Sequence, residues 1–168
     1  MDDVFEINGN LRGQIFAPTA WQAMQAAVTE ALETRIPQLR APHLFMGLIS
    51  QHDPAILKWG QFLRADLKKL HTQFQELFYN SEVQDKILVR LHREFLSDQV
   101  IAMLRSANRR SCEHSRTHIS TIDILTSVIL DPDSVVADCF ERIGVRVETL
   151  HDYALIAENS VPPTRKAA

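Results

Sequence analysis

A chain of 168 residues with 45% apolar and 23% charged side chains fits one domain or two small repeats sharing a core, and excludes a wholly disordered polymer. Its net charge of −3 excludes a general electrostatic attraction for nucleic acid or anionic lipid. Five glycines and seven prolines are too few for a turn-rich all-β fold, which leaves an all-α architecture as the expectation.

Two cysteines, Cys112 and Cys139, do not form a disulfide framework. Asp2 and Asp3 stand where a signal peptide would carry basic residues. The longest apolar run, Leu44 to Ile49, is far shorter than the about 20 residues of a membrane span. The expected setting is a soluble, reducing cytoplasm with no membrane contact.

In chain order, Val4 to Leu11 alternates around Asn8-Gly9, the composition of a two-residue hairpin turn, so residues 1–15 read as a small hairpin or an extended arm. Pro18 suits the first turn of a helix whose apolar stripe is Trp21, Met24, Val28 and Ala31. Ile36-Pro37 ends it. Pro42 opens a second helix through Leu44, Phe45, Leu48 and Ile49, and Asp53-Pro54 caps a third. Asp66 precedes a fourth, with Leu67, Leu70, Phe74 and Leu77 on one side, which completes a unit over 16–80. Ser81 is expected to cap a connecting helix over 81–95 that carries Val83, Ile87, Leu88 and Leu91.

A second unit over 96–157 repeats this order. Its first helix runs from Asp98 through Ile101, Leu104 and Ala107, and Ser120 caps the next, with Ile124, Leu125, Val128 and Ile129. Asp133 is expected to cap the third, and Val147, Leu150 and Ala154 line the fourth, leaving 158–168 as a flexible tail. A shift of 80 residues superposes the two units without a gap: Trp21 falls on Ile101, Leu39 on Ile119, Leu44 on Ile124, Asp53 on Asp133 and Leu70 on Leu150.

Three stretches carry a family likeness. They are Phe16-Ala17-Pro18-Thr19-Ala20, then Leu39 through Ile49, then Phe62-Leu63-Arg64-Ala65-Asp66-Leu67-Lys68-Lys69-Leu70, and each has a second copy, at Phe95-Leu96-Ser97, Ile119 through Leu125, and Ile143 through Leu150. The pattern resembles the N-terminal double-repeat domain of Clp-family protein unfoldases. The resemblance implies two roughly four-helix units sharing one core, and a non-catalytic module that binds protein or peptide clients and adaptors. It further implies a Clp-type ATPase, or in one branch a secretion-sheath protein, among the partners.

The family's signature polar residues are mostly replaced. Its Glu of a Glu-His pair is Pro42 in the first copy and Ile122 in the second, and its His is His43 and then Asp123. The hydroxyl after the opening aromatic is Ala17 in the first copy and survives only as Ser97. Binding of phosphorylated arginine, which some relatives achieve with that hydroxyl and glutamate, is therefore not carried over. No Gly-x-x-x-x-Gly-Lys-Ser/Thr phosphate loop is present, so the expectation is a stand-alone homologue or the front end of a larger unfoldase.

Other chemistry is thin. Cys112, His114 and His118 have spacing for three zinc ligands but no evident fourth, and a polar loop is the simpler reading. Neither a nucleophile elbow nor a His-Glu-x-x-His helix occurs, and Cys139 beside Phe140 reads as a buried thiol, so no catalytic residue, metal or cofactor is expected. Asp131 and Asp133, flanking Pro132, read as helix caps. Arg105, Arg109, Arg110 and Arg116 form the one basic concentration, read first as a solvated helix face and otherwise as a contact for an acidic adaptor or nucleic-acid phosphate. The alternative function, a helical nucleic-acid-binding regulator, rests on this Arg105–Arg116 segment. The candidate partner-binding residues are Phe16 and Thr19 at the first repeat start, Phe95 and Ser97 at the second, and Arg105 with Arg109.

Overall fold

Prolines and short polar side chains set where most helices begin. A computed structural model describes residues 3–82 and 86–161, and in it the helices are α1 (Pro18–Glu33), α2 (Ala41–Ile49), α3 (Pro54–Leu63), α4 (Leu67–Phe78), α5 (Asp98–Glu113), α6 (Thr121–Leu130), α7 (Val135–Arg142) and α8 (Val147–Ser160). Asp53 accepts from the Ile56 N–H at 3.1 Å, Asp66 from Lys68 and Lys69, Ser97 from Val100, and Ser120 from Asp123. Each bond satisfies one of the donors a helix start leaves open. The expected cap of α7 is displaced by one residue. Ser134, not Asp133, accepts from Ala137, while Asp131 is occupied by the Asp133 N–H.

The 80-residue period extends to the backbone. The 3-10 turn Gly13–Ile15 recurs at Arg93–Phe95. Left-handed residues ending α1 and α3, Arg35 and Arg64, recur as Ser115 and Gly144. Glycine adopts that geometry without the roughly 1 kcal/mol it costs a residue with a Cβ, so the second copy closes this corner more cheaply than the first.

The halves exchange their leading segments. Phe16 bridges Ile119 and Leu39 bridges Leu96, in parallel. The Ala17 N–H donates to the Ile119 carbonyl at 2.8 Å, and the Ser97 N–H to the Leu39 carbonyl at 3.0 Å. These bonds map onto one another when the halves are swapped, which is the relation of a pseudo-twofold axis. Helices α2 and α6 lie at the centre, α2 buried along its whole length. An aromatic cluster crosses the boundary: Phe45 stands 5.0 Å from Phe74, 6.0 Å from Trp59 and 5.8 Å from Phe140 of the other half. Trp59 Nε1 donates to the Leu150 carbonyl at 3.0 Å, and Thr121 Oγ1 to Asp53 at 2.9 Å. One core serves both units.

The connecting helix expected over 81–95 is absent from the described residues: 81–82 form a turn, 86–92 are not helical, and Arg93–Phe95 make a single 3-10 turn. Burial alternates here, with Val89 in, Leu88 and Arg90 out, and Ile87 and Leu91 half-buried. That is the period of extended chain, not of a helix. Val83 and its two successors lie outside the described residues. The N-terminal arm docks on this connector. Phe5 pairs with Leu11 across a turn containing Gly9, Asn10 pairs with His92, and the Leu11 N–H donates to the Leu91 carbonyl. Gly9 sits at φ 92°, and a Cβ there would fall 2.5 Å from His92 Nε2. Val4, Phe5 and Leu11 are buried, which supplies the docking that an isolated hairpin needs. No helix among the described residues is long and apolar enough to cross a membrane.

Candidate partner-binding site

An open groove of about 580 Å³ runs along the outer face of α5 beside the turn at Arg93–Phe95. Arg105 and Arg109, one helical turn apart, line it together with Arg93, Asp98 and the apolar Ile101 and Ala102. The arm brings a carboxylate to two of these arginines. Asp3 accepts from Arg105 Nε and Nη2, both at 3.1 Å, and from Arg93 Nη2 at 3.2 Å. The bidentate hydrogen bond with Arg105, with further help from the Arg93 charge, holds the Asp3 carboxyl below its ordinary pKa. Arg93 is positioned in turn by the Phe5 ring, 4.8 Å from its guanidinium carbon.

Of the six candidate residues, Arg105 and Arg109 line this groove and the other four do not. Phe16 is 4% exposed and packs on Trp21 at 5.6 Å, so its ring belongs to the core rather than to a surface. Thr19 is half-buried on α1. Phe95 is half-buried beneath Arg90, whose guanidinium lies 5.3 Å from the ring, and Ser97 is the cap of α5. The true counterpart of Phe95 under the 80-residue shift is Ile15, and that of Phe16 is Leu96. Sequence reasoning missed Asp3 and Arg93. Asp3 is 102 positions from Arg105, and no local pattern links them.

The remaining basic residues of the segment turn inward. Arg110 Nη1 donates to Asp123 at 2.6 Å and to Glu158 at 2.9 Å, and Arg116 joins both carboxylates. Arg110 is 11% exposed and Asp123 is fully buried, so this is a structural ion cluster and not a solvated face. Burial raises the Glu158 pKa and the Arg110 hydrogen bond with the nearby positive charges outweighs it, leaving a net lowering. The Cys112, His114, His118 spacing gathers no ligand set. His114 Nδ1 bonds to the Arg110 carbonyl, His118 Nδ1 to Thr117, and among the described residues no three candidate ligands converge.

A second depression is apolar. The α3–α8 pair is closely packed, with Phe62 5.8 Å from Tyr153. Its counterpart, α4 and α7, leaves a cleft of about 140 Å³ lined by Leu70, Phe74, Leu77, Cys139 and Ile143. Cys139 is half-buried rather than buried as expected, and desolvation there pushes its thiol pKa up, away from nucleophilic use.

Neither a protein-family model nor a curated protein matches the sequence. Solved structures do match. The N-terminal domain of the caseinolytic-protease-associated chaperone ClpD from Arabidopsis thaliana is 18% identical, with a TM-score of 0.68 over 90% of this chain and 99% of that one. The fold is that of a Clp N-terminal domain. The Hsp104 N-terminal domain from Candida albicans, also 18% identical, has a TM-score of 0.67 over 87% of this chain and 93% of its own. A ClpV N-domain solved in complex with a VipB peptide is 15% identical, with a TM-score of 0.63 over 88% and 89%. The double-repeat, all-helical Clp N-domain architecture expected from the residue pattern is thus the one observed.

Proposed function

We infer that the chain is a non-catalytic protein- and peptide-binding module that selects or delivers clients for a Clp-type unfoldase or a related machine in the cytoplasm. The observation that carries this reading is the Clp N-domain fold, one example of which was solved with a bound VipB peptide. The chemistry of this chain agrees with it. Its open surfaces among the described residues include a cationic groove on α5 and an apolar cleft between α4 and α7, two kinds of surface by which helical modules hold polypeptide segments. A secretion-sheath protein is one client class within this reading. The nucleic-acid alternative is weakened by Arg110 and Arg116, whose guanidinium groups are already engaged by Asp123 and Glu158. The test is a native pull-down with the full chain followed by mass spectrometry. Recovery of a Clp-type ATPase or of a client of one supports the reading, and recovery of neither overturns it.

A further inference from the structure

The groove on α5 carries three arginines that the fold does not require. At the positions equivalent to Arg93, Arg105 and Arg109 the first half has Gly13, Gln25 and Thr29, and its helix α1 forms on the same plan without them. In place of Asp98 the first half has Pro18. Positive charge is thus concentrated on one of two equivalent faces, in a chain whose net charge is negative. Two of the groove's arginines already bind the functional group that suits them: the Asp3 carboxylate lies across Arg105 in bidentate geometry and reaches Arg93, while Arg109 lines the groove one turn further along α5. The ion pairs of Asp3 are solvent-accessible, with Arg105 49% and Asp3 34% exposed, so they are weak enough to exchange.

We propose that this groove is a carboxylate-reading site for an acidic peptide segment of a partner protein, and that Asp3 is an internal stand-in which the partner's carboxylate displaces from Arg105. The proposal rests on the reading of the chain as a peptide-binding module and specifies its ligand. An arginine fork matches a carboxylate with two parallel hydrogen bonds, and Arg109, one turn away from Arg105, meets a second acidic side chain of the same segment. Ile101 and Ala102 between the charges favour a peptide that alternates acidic and apolar residues. A nucleic-acid backbone needs a longer run of available cations, and Arg110 and Arg116 are already paired with Asp123 and Glu158. Asp98 in the lining adds negative charge, which disfavours a polyanion.

The test is fluorescence anisotropy on the full chain with a short labelled peptide alternating Glu and Leu, against the same peptide with Gln for Glu and against a labelled single-stranded oligonucleotide. The Glu peptide binds and the Gln peptide does not, and added salt weakens binding. R105Q and R109Q each weaken it about tenfold. D3N strengthens it about threefold, because the internal competitor is gone. Thermal melts of the three variants match the wild type, since all three side chains are at the surface. Equal binding of the Glu and Gln peptides, binding unchanged in R105Q and R109Q, or tighter binding of the oligonucleotide each overturns the proposal. If native pull-down recovers a partner whose capture survives R105Q and R109Q together, the peptide-binding reading stands and the carboxylate site falls.

Discussion

His43 and Asp123 occupy the same position in the two halves and do the same local job with opposite acid–base character. Each sits at the third residue of a central helix and accepts the N–H of the capping residue, His43 Nδ1 from Arg40 at 2.9 Å and Asp123 from Ser120 at 2.8 Å. Because Nδ1 accepts, the His43 proton is on Nε2, which donates to Thr34 Oγ1 at 2.9 Å. Full burial, with the nearby Arg40 charge, lowers the His43 pKa from 6.5 to about 4. The fold therefore prefers neutral imidazole. Its stability is complete above pH 6.5 and is lost as pH falls toward 4, by about 3 kcal/mol over that window. Urea denaturation as a function of pH should show this slope, and H43Q, which keeps an acceptor for the Arg40 N–H, should flatten it. An unchanged slope in H43Q would assign the acid sensitivity elsewhere.

Asp123 faces the reverse problem. Its carboxylate is buried and compensated by Arg110 and Arg116, with Glu158 closing the cluster. The equivalent positions in the first half are Glu30 for Arg110, Ile36 for Arg116 and Phe78 for Glu158. Glu30 there is held by His71 at 2.7 Å and Gln75 at 2.9 Å. Removing one partner from a buried set leaves uncompensated charge, so D123N is expected to cost about 3 kcal/mol in chemical denaturation. A loss below about 1 kcal/mol would mean the cluster is solvated like a surface pair.

At the scale of elements, the two central helices are approached differently by their partners. Gly47 of α2 lies against the α1 backbone: a Cβ there would fall 2.4 Å from the Ala23 carbonyl oxygen and 2.8 Å from the Ala27 nitrogen. Neither atom can rotate away, so G47A must push α1 and α2 apart and is expected to destabilise by about 2 kcal/mol in urea titration. Its counterpart, Ser127, has room for a side chain and bonds to the Ile124 carbonyl. An equally stable G47A would show that α1 can slide without loss. The connector makes a related point about what elements encode. Ile87, Val89 and Leu91 alternate inward, a spacing that also supplies apolar residues to a helical reading until burial decides between them.

At the scale of the molecule, neither half can close its own core. Phe16 and Leu39 pair with the opposite half, and so do the Trp59 indole and the Phe45 ring. Each half is about 80 residues, a size at which a single core is marginal even when intact. Residues 1–82 and 83–168 produced as separate chains should each lack a cooperative melt, and mixing them should restore helical circular dichroism and a single transition. A cooperative melt from either half alone would show that the exchanged segments are dispensable.

Much of this architecture was legible in the residues because its signals are local. Asp53, Asp66, Ser97 and Ser120 mark helix starts by accepting from nearby backbone donors, Pro18 and Pro54 by lacking the N–H that would go unpaired there, and the apolar stripes between them repeat at 80 residues. The candidate site was only half legible. Arg105 and Arg109 announce themselves by spacing, whereas Arg93 joins them through the turn before α5 and Asp3 through the folded arm, and the burial of Phe16 follows from its pairing with Ile119. Of four similar arginines on one segment, Arg105 and Arg109 line the open groove while Arg110 and Arg116 are tied to Asp123 and Glu158, and that division belongs to the tertiary structure. Caps and periodicity act over a single turn of chain, so sequence suffices for them; desolvation and charge pairing depend on what lies across the core, so only the closed fold decides them.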